Sequence, residues 1–293
     1  MKRTFGDIVF SVINTLILLL VSLACLLPIW HVFCSSVSQP LMLNAYRGVL
    51  TWPLGTWTFA GYNKVLHTSY IQQGYLNTLI YMVIGTAIGT VLTILAAYGL
   101  SRQNLMFKKQ INFIITFTML FNGGLVPTYM VIRNFKMLDT IWAIVLPYCV
   151  SVFNIMIMRS SFESIPSSLT EAAEIDGAGH LRILTRIVLP VSKSILAVIV
   201  LFYAVQHWNS WFHTALYVKN RSMFPLQLWL REIVIAETSS VNEVDALDTS
   251  AANQIRTLFK YCVIMISIIP MLVIYPFVQK YFVTGVMIGS VKG

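Results

Sequence analysis

The amino-acid sequence predicts an all-α membrane protein with six transmembrane helices, both termini in the cytoplasm, and a short cytoplasmic helix between transmembrane helices four and five. Of its 293 residues, 57% are hydrophobic and only 11% are charged, whereas about a quarter of the residues of an ordinary soluble protein are charged. Long apolar segments recur along the chain, and one polar stretch, residues 167–190, separates two of them.

Six apolar segments are long enough, or nearly so, to cross a bilayer. A hydrocarbon core roughly 30 Å thick requires about 20 apolar residues in a helix. The predicted spans are residues 8–30, 75–100, 111–132, 141–158, 194–217 and 258–282. The first is too long for the apolar region of a signal peptide, so we expect it to be retained.

The distribution of Lys and Arg predicts the orientation. Lys2 and Arg3 precede the first span, and the other basic residues assigned to the same side are Arg102, Lys108, Lys109, Arg159, Arg182, Arg186 and Lys193. The positive-inside rule makes this side the cytoplasm. Arg133 and Lys136 are an exception, because they occupy a short loop on the opposite face. The basic residues are scattered, so the net charge of +9 does not indicate a nucleic-acid partner.

The polar stretch reads SSLTEAAEIDGAGHLRILTRIVLP and predicts two short helices. Ser168 and Glu171 have the spacing of a capping box, which predicts a first helix over residues 169–176. Gly177 is the residue type that best ends such a helix in a left-handed turn. Pro190 is expected to distort the second helix where the fifth span begins. Because charged residues are concentrated in this stretch between two spans, we expect the stretch to contact another molecule in the cytosol.

Two apolar segments contain polar interruptions. The third holds Asn122, followed by two glycines and Pro127. Irregular backbone at membrane depth is tolerated only where it packs on protein or lines a cavity, so this predicts either a kink beside a pathway or a packing kink.

The fifth segment, with the sequence YAVQHWNSWFHTALY, is the most polar. Gln206 and Asn209 are three residues apart and are expected on one helix face. Trp208 and Trp211 repeat that spacing, and amides beside aromatic faces suit a passage for sugars. The alternative is an interfacial tryptophan belt. The predicted substrate-pathway residues are Asn122, Gln206, Trp208, Asn209 and Trp211.

Motifs for catalysis by this chain are absent from the sequence. It has no G-x-x-x-x-G-K-[ST] phosphate loop, no H-E-x-x-H and no G-x-S-x-G, so no catalytic residue and no metal site is predicted. An ion-coupled secondary carrier would need ionisable residues at mid-membrane depth, and none of the acidic residues falls centrally in a predicted span.

The polar stretch also resembles a known family. Glu171-Ala172-Ala173, then Gly177, Ile187 and Leu189-Pro190 reproduce the signature E-A-A-x3-G-x9-I-x-L-P without a gap. It is similar to the cytoplasmic loop of permease subunits of bacterial ABC importers that depend on a solute-binding protein. Short strings resemble the carbohydrate-uptake branch, the maltose-permease-like subunits that take up oligosaccharides or polysaccharide fragments. They are Asn77-Thr78, FNGGLVPTY, WNSWF and GVMIGSVKG.

The resemblance implies that the loop helix is a coupling helix in a cleft of an ATPase subunit. The implied ATPase-coupling residues are Glu171, Ala172, Ala173, Gly177, Ile187, Leu189 and Pro190. Glu171 would pair with a basic residue of the ATPase, the two alanines would lie against the socket, and Gly177 would give the turn. The last three would fix the helix base to the fifth span. The family also implies that residues 285–293 reach the ATPase subunits and that residues 238–254 contact the binding protein.

The expected function is therefore that of a permease subunit of an ATP-driven importer, which moves oligosaccharides across the bacterial cell membrane after delivery by a solute-binding protein. The implied partners are a homologous second permease, two ATPase subunits that carry ATP and Mg, the binding protein, the oligosaccharide and the lipid membrane. No cofactor on this chain and no nucleic acid is implied. In the maltose-like system the sugar is held mostly by the other permease subunit.

The predicted division is a first helix and outer loop (residues 1–73), a five-helix core (residues 74–282) and a cytoplasmic tail (residues 283–293). Two alternatives stay open from the sequence. One is the same importer architecture for amino acids, peptides or inorganic anions, and the other is an ion-coupled carrier.

Overall fold

The fold is built from helices, as predicted. The computed structural model describes residues 5–121, 123–241 and 251–290. In chain order the α-helices are α1 (Phe5–Ser36), α2 (Pro40–Ala45), α3 (Ala60–Leu66), α4 (Ser69–Ser101), α5 (Lys108–Leu120), α6 (Leu125–Asn134), α7 (Ile141–Val145), α8 (Val152–Glu163), α9 (Ser167–Ile175), α10 (His180–Ile183), α11 (Leu189–Val191), α12 (Lys193–Trp208), α13 (Phe212–Tyr217), α14 (Leu226–Val241) and α15 (Ala251–Ser290). Shorter turns are the 3₁₀ turns Leu146–Tyr148 and Arg221–Met223 and the π-helical turn Leu184–Val188.

Three helical segments are individually long and apolar enough to cross a bilayer: α1, α4 and Arg256–Pro276 within α15. Three further pairs qualify only when each is taken as one bent span. They are α5 with α6, Ile141–Tyr148 with α8, and His180–Val191 with α12. The described residues thus hold three such helices, or up to six spans with the bent pairs. The count of six and the orientation remain predictions.

The surface of α1 is apolar nearly all round. Its side chains from Phe5 to Leu27 are exposed, with Leu16 at 55% and Leu20 at 64%. A helix that is hydrophobic on every side is suited to lipid or to another membrane helix.

The chain divides into two compact units, and the first consists of Met1–Ile71 and Leu230–Ile269. Within it, the thiol of Cys262 donates a hydrogen bond to the carbonyl of Ser36 at 3.4 Å, and the Ser36 and Tyr62 hydroxyls are 2.7 Å apart. Gly61 packs so closely on α15 that an added Cβ would lie 2.6 Å from the Cys262 sulfur. These contacts hold α1, α3 and α15 together.

The second unit consists of Gln72–Trp229 and Pro270–Gly293, and it contains the polar stretch and the polar fifth span. Near the start of α4, the Asn77 amide donates to the carbonyl of Ser222 at 2.7 Å. The Thr78 hydroxyl accepts the backbone N–H of Leu226 at 2.9 Å. These residues therefore anchor the segment that follows α13.

Some predicted features lie outside the described residues. They are Asn122, residues 242–250 of the predicted binding-protein loop, and residues 291–293 of the tail.

Candidate functional site

The first helix of the polar stretch is α9, and its N-terminus differs from the prediction. The helix begins at Ser167, directly after Pro166, and no side chain caps it. The capping box between Ser168 and Glu171 is therefore wrong, because Ser168 already lies inside the first turn. The Pro166 ring restricts the backbone there, and the Thr170 hydroxyl instead donates to the carbonyl of Ser167 at 2.9 Å.

The C-terminus of α9 follows the prediction. Gly177 has a φ of 76°, the left-handed conformation that costs glycine least. The N–H of Ala178 donates to the carbonyl of Ala173 at 2.9 Å, and the N–H of Gly177 donates to the carbonyl of Glu174 at 3.0 Å. This pair of bonds is the Schellman motif. The backbone therefore turns sharply away from α9 after Asp176.

The two faces of α9 differ in burial. Glu171 and Ala172 are exposed, whereas Ala173 packs against a hydrophobic core cluster of the second unit. Large apolar side chains are also exposed nearby, with Ile175 at 87% and Leu181 at 71%. The result is a small-residue face beside exposed apolar groups, a surface on which another protein can dock.

The link between this helix and the fifth span is distorted, as Pro190 predicts. The N–H of Leu189 donates to the carbonyl of Leu184, the spacing of a π-helical turn. Pro190 has no N–H to continue the α-helical pattern. His180–Val191 and α12 meet at 87°. Ile187 is half-buried, and Leu189 packs against the core cluster, so the base of the element is fixed.

Four polar contacts, which were not predicted from the sequence, fix the helix ends around this region. The Tyr98 hydroxyl, near the end of α4, donates to the carbonyl of His180 at 3.1 Å, and the Arg102 guanidinium lies 4.2 Å from the Tyr98 ring centre. Lys108 and Arg159 both pair with Glu163, at 3.0 Å and 3.1 Å. Only the i,i+4 spacing of Arg159 and Glu163 was a signal in the sequence.

The second feature is a cavity of about 160 Å³ in the same unit. Three of the predicted pathway residues come together there. The lining residues are Ile144, Tyr148, Gln206, His207, Asn209, Ser210, Trp211, Phe212 and His213. Trp208 lies outside the lining and is only 1% exposed. Its ring packs edge-on against Tyr75 at 5.7 Å.

The predicted fifth span is interrupted at this cavity. Helix α12 ends at Trp208 and α13 begins at Phe212. Asn209 therefore lies just beyond the helix that carries Gln206, and the prediction that both residues lie on one helix face is wrong. The Asn209 amide donates back to the carbonyl of Val205 at 2.9 Å and thereby caps the end of α12. The interruption turns Trp211 into the cavity lining.

The predicted fourth span is also interrupted here, and side chains of α12 satisfy its free backbone groups. The Gln206 amide donates to the carbonyl of Tyr148 at 3.0 Å. The Tyr203 hydroxyl accepts the N–H of Ser151 at 3.0 Å and lies 2.6 Å from the Thr93 hydroxyl. Irregular backbone at depth needs such partners.

Two glycines of α4 allow residues of other segments to pack closely against this helix. A Cβ on Gly85 would lie 2.3 Å from Nε2 of His207, and a Cβ on Gly89 would lie 2.5 Å from the carbonyl oxygen of Cys149. Gly85 and Gly89 have the GxxxG spacing, which allows helices to pack closely in a membrane. It also explains how buried His207 fits beside α4.

An aromatic stack that the sequence did not reveal borders the cavity. The rings of Tyr148 and His213 lie 3.5 Å apart and are nearly parallel, and the Tyr148 hydroxyl is 3.1 Å from that of Tyr217. Ring faces next to the amides of Gln206 and Asn209 can contact the C–H surface of a sugar and hydrogen-bond its hydroxyls. No spacing rule in one sequence links Tyr148 to His213, since they come from different spans.

The sequence of the chain is similar to those of known transport permease proteins. No protein-family model matches the chain. The polygalacturonan/rhamnogalacturonan transport system permease protein YtcP of Bacillus subtilis is 38% identical over 276 residues, covering 94% of this chain and 96% of the relative. The maltodextrin transport system permease protein MdxG of the same organism is 26% identical, covering 82% of each chain.

Solved structures show the same fold. A chain of a bacterial ABC transporter involved in the import of the acidic polysaccharide alginate superposes with a TM-score of 0.84 at 31% identity, covering 96% of this chain and 99% of that chain. A chain of the alginate transporter in complex with an alginate pentasaccharide-bound periplasmic protein has a TM-score of 0.59 at 15% identity; the second likeness concerns the fold alone.

Apolar helices, interrupted helical segments around a cavity that contains amide side chains, and an exposed helix on a short loop are features of a membrane transport permease. The chain belongs to the carbohydrate ABC transporter permease subunits. It is a multi-pass protein of the plasma membrane.

Proposed function

We propose that this chain is one of two homologous permease subunits of an ATP-driven importer, which receives oligosaccharides from a solute-binding protein and passes them into a bacterial cell. The observation that carries the proposal is the exposed face of α9, with Glu171 and Ala172 at its surface. The names of relatives that transport polygalacturonan and maltodextrin support a carbohydrate cargo. In the proposed topology the chain has six spans and both termini in the cytoplasm.

Coupling would run through α9. Glu171 would pair with a basic residue of the ATPase, and Ala172 would allow close approach in the socket. Exposed Ile175 would add apolar contact. Ala173 has a different part, since it packs against the core of this chain and would keep α9 seated while the ATPase moves it.

The remaining motif residues would transmit the movement. Gly177 sets the turn, and Ile187, Leu189 and Pro190 form the base that joins the polar stretch to α12. ATP and Mg would bind to the two ATPase subunits. When those subunits close, the coupling helices of both permeases would approach each other and the spans would open outward to accept the sugar.

The sugar path would include Asn122, Gln206, Trp208, Asn209 and Trp211. The shared cavity of Gln206, Asn209 and Trp211 supports this assignment. Their amides would hydrogen-bond sugar hydroxyls, and the indole of Trp211 would stack on a ring. Trp208 is buried, so it would contribute indirectly, by fixing the end of α12 next to the cavity.

The test is ATP-dependent uptake by the complex purified through this chain and reconstituted into proteoliposomes. A Glu171→Ala variant should insert normally but lose about tenfold or more of its uptake, since it removes one partner of an interfacial charge pair. Glu174→Ala is the matched control, because Glu174 is exposed on the same helix. Uptake by Glu171→Ala at the wild-type rate, or no oligosaccharide uptake by the wild type, would refute the proposal.

A further inference from the structure

Four exposed cations lie on two short loops that the proposed topology places outside the cell. Arg133 and Lys136 are at the end of α6 and in the loop after it, and Lys219 and Arg221 follow α13. We refer to these four residues as the cationic rim. Because the positive-inside rule disfavours Lys and Arg on outer loops, membrane topology gives no reason for the cluster.

The rim is held together by one carboxylate. Oδ1 of Asp139 accepts the backbone N–H groups of Lys219 and Asn220, the latter at 3.1 Å, and the N–H of Asp139 donates to the carbonyl of Tyr217 at 3.0 Å. Lys136 and Asp139 both have left-handed backbone conformations, with φ of 56° and 57°. Such conformations persist only where surrounding contacts hold them. The backbones of the two loops are therefore fixed relative to each other.

Three of the four rim cations are not neutralised by ion pairs within the described residues. Arg133, Lys136 and Lys219 form none among the described residues. The guanidinium of Arg221 lies 4.8 Å from the ring centre of Trp229, which limits its movement. These three cations, with the carboxylate of Asp139 beside Lys219, leave this face with a net positive charge that attracts anions.

The rim is joined to the cavity by α13. This helix begins at Phe212 in the cavity lining and ends at Tyr217, a rise of roughly 9 Å. Stacked rings follow the same course. His213 lies 6.4 Å from Tyr217, and Tyr217 lies 6.1 Å from Tyr129, on the helix that carries Arg133. Tyr217 itself is buried, so this series of rings holds α13 in place between the rim and the cavity.

We propose that the cationic rim and the cavity form a path for acidic oligosaccharides, in which the rim binds the carboxylates of uronate residues. The proposal rests on the proposed function. Lys and Arg are the side chains that pair with carboxylates, and a uronate chain offers one carboxylate per sugar together with hydroxyls and an apolar ring face. Relatives of the chain act on polygalacturonan and on the acidic polysaccharide alginate.

The test is equilibrium binding of trigalacturonate and of the neutral trisaccharide maltotriose. The full complex is placed in nanodiscs of zwitterionic lipid, so that anionic head groups cannot compete for the rim. The variant is the triple substitution Arg133→Gln, Lys136→Gln, Lys219→Gln. The control is Lys64→Gln, which removes an exposed cation from the predicted first outer loop.

Wild-type complex should bind trigalacturonate with a Kd that rises with salt, and the triple variant should raise that Kd about tenfold. Lys64→Gln should change neither sugar's Kd, and the triple variant should leave maltotriose binding unchanged. Unaltered trigalacturonate binding by the triple variant would overturn the proposal. So would an equal loss of both sugars, which would indicate a structural or docking role. Neither result bears on ATP-dependent uptake by the wild type, which tests the proposed function separately.

Discussion

The hydroxyl of Tyr98 donates a hydrogen bond of 3.1 Å to the backbone carbonyl of His180. It joins the end of α4 to the residue that begins α10, only three positions after the turn at Gly177. The Arg102 guanidinium covers the same ring, so α4 and the polar stretch are held together at one point. Movement of α9 would therefore reach α4 as well as α12.

Removing this hydroxyl should loosen coupling without unfolding the chain. Tyr98→Phe keeps the ring but leaves the His180 carbonyl without its donor, a loss of about 1 kcal/mol for one hydrogen bond. We expect less oligosaccharide transported per ATP hydrolysed, measured in proteoliposomes. Tyr275→Phe is the control, because its ring is 58% exposed. An unchanged transport ratio in Tyr98→Phe would mean that the bond is merely structural.

The turn after α9 should depend on left-handed backbone. Gly177→Ala introduces a Cβ at φ 76°, at a cost of about 1–2 kcal/mol, although no atom lies within 4 Å of that Cβ. Hydrogen exchange at the amides of Gly177 and Ala178 should become faster. Gly177→Asn should recover much of the protection, since asparagine tolerates this conformation. Equal effects of the two substitutions would exclude backbone strain as the cause.

Contact between α4 and α12 should be sensitive to one methyl group. Gly85→Ala places a Cβ 2.3 Å from Nε2 of His207, and overpacking of this kind costs about 1–3 kcal/mol. Gly99→Ala, on the same helix with no atom within 4 Å of the new Cβ, should be neutral or stabilising. Thermal unfolding in detergent distinguishes them. Similar melting temperatures would argue against close packing at Gly85.

The loop that carries Asp139 should loosen in acid. The N–H of Lys219, the N–H of Asn220 and the Lys219 charge lower the pKa of the Asp139 carboxyl. Because the folded-state pKa lies below the unfolded one, this contribution to stability is complete above the unfolded pKa and is lost as the pH falls through the folded pKa. Hydrogen exchange at these two amides, corrected for intrinsic rates, should show falling protection in acid.

Asp139→Ala provides the comparison. It should show low protection of the same two amides at every pH, whereas Asp139→Asn, which retains an acceptor oxygen, should be intermediate and nearly independent of pH in this range. A pH response in Asp139→Ala like that of the wild type would assign the effect to another group.

Substitutions of two neighbouring tryptophans should have different effects, one on stability and the other on transport. Trp208 is almost fully buried, so Trp208→Ala should destabilise the protein by about 3–5 kcal/mol. Trp211 lines the cavity, so Trp211→Ala should mainly raise the KM for oligosaccharide uptake. Melting temperature and uptake kinetics are measured on both. The reverse pattern would remove Trp211 from the path.

Parts of the polar stretch were predictable from the sequence because they depend on properties of single residues. Gly177 ends α9 because of its own backbone freedom, and Pro190 disturbs the following helix because of its own missing N–H. Such effects depend on the residue and its near neighbours. The capping box failed for a related reason, since Pro166, just before the helix, set its start one residue ahead of Ser168.

The cavity was less predictable because spans distant in sequence build it. Polar residues in the fifth span pointed to Gln206 and Asn209, but the helix break between them and Phe212 has no strong breaker such as proline or glycine. The stack of Tyr148 on His213 depends on how two spans pack, which one sequence does not reveal. Tyr98 and Arg102 were missed for the same reason.

The π-helical turn at Leu184–Val188 inserts one residue beyond a regular α-helical repeat, in which each residue advances by about 100°. Side chains before the turn are consequently rotated about the helix axis relative to those after it. A helical wheel drawn for a regular α-helix over residues 180–191 therefore places the residues on one side of the turn on the wrong helix face. Anyone who grafts this loop onto another permease, or aligns the two with a gap here, must keep the additional residue. Deleting it would rotate Glu171 by roughly 100° about the helix axis relative to α12.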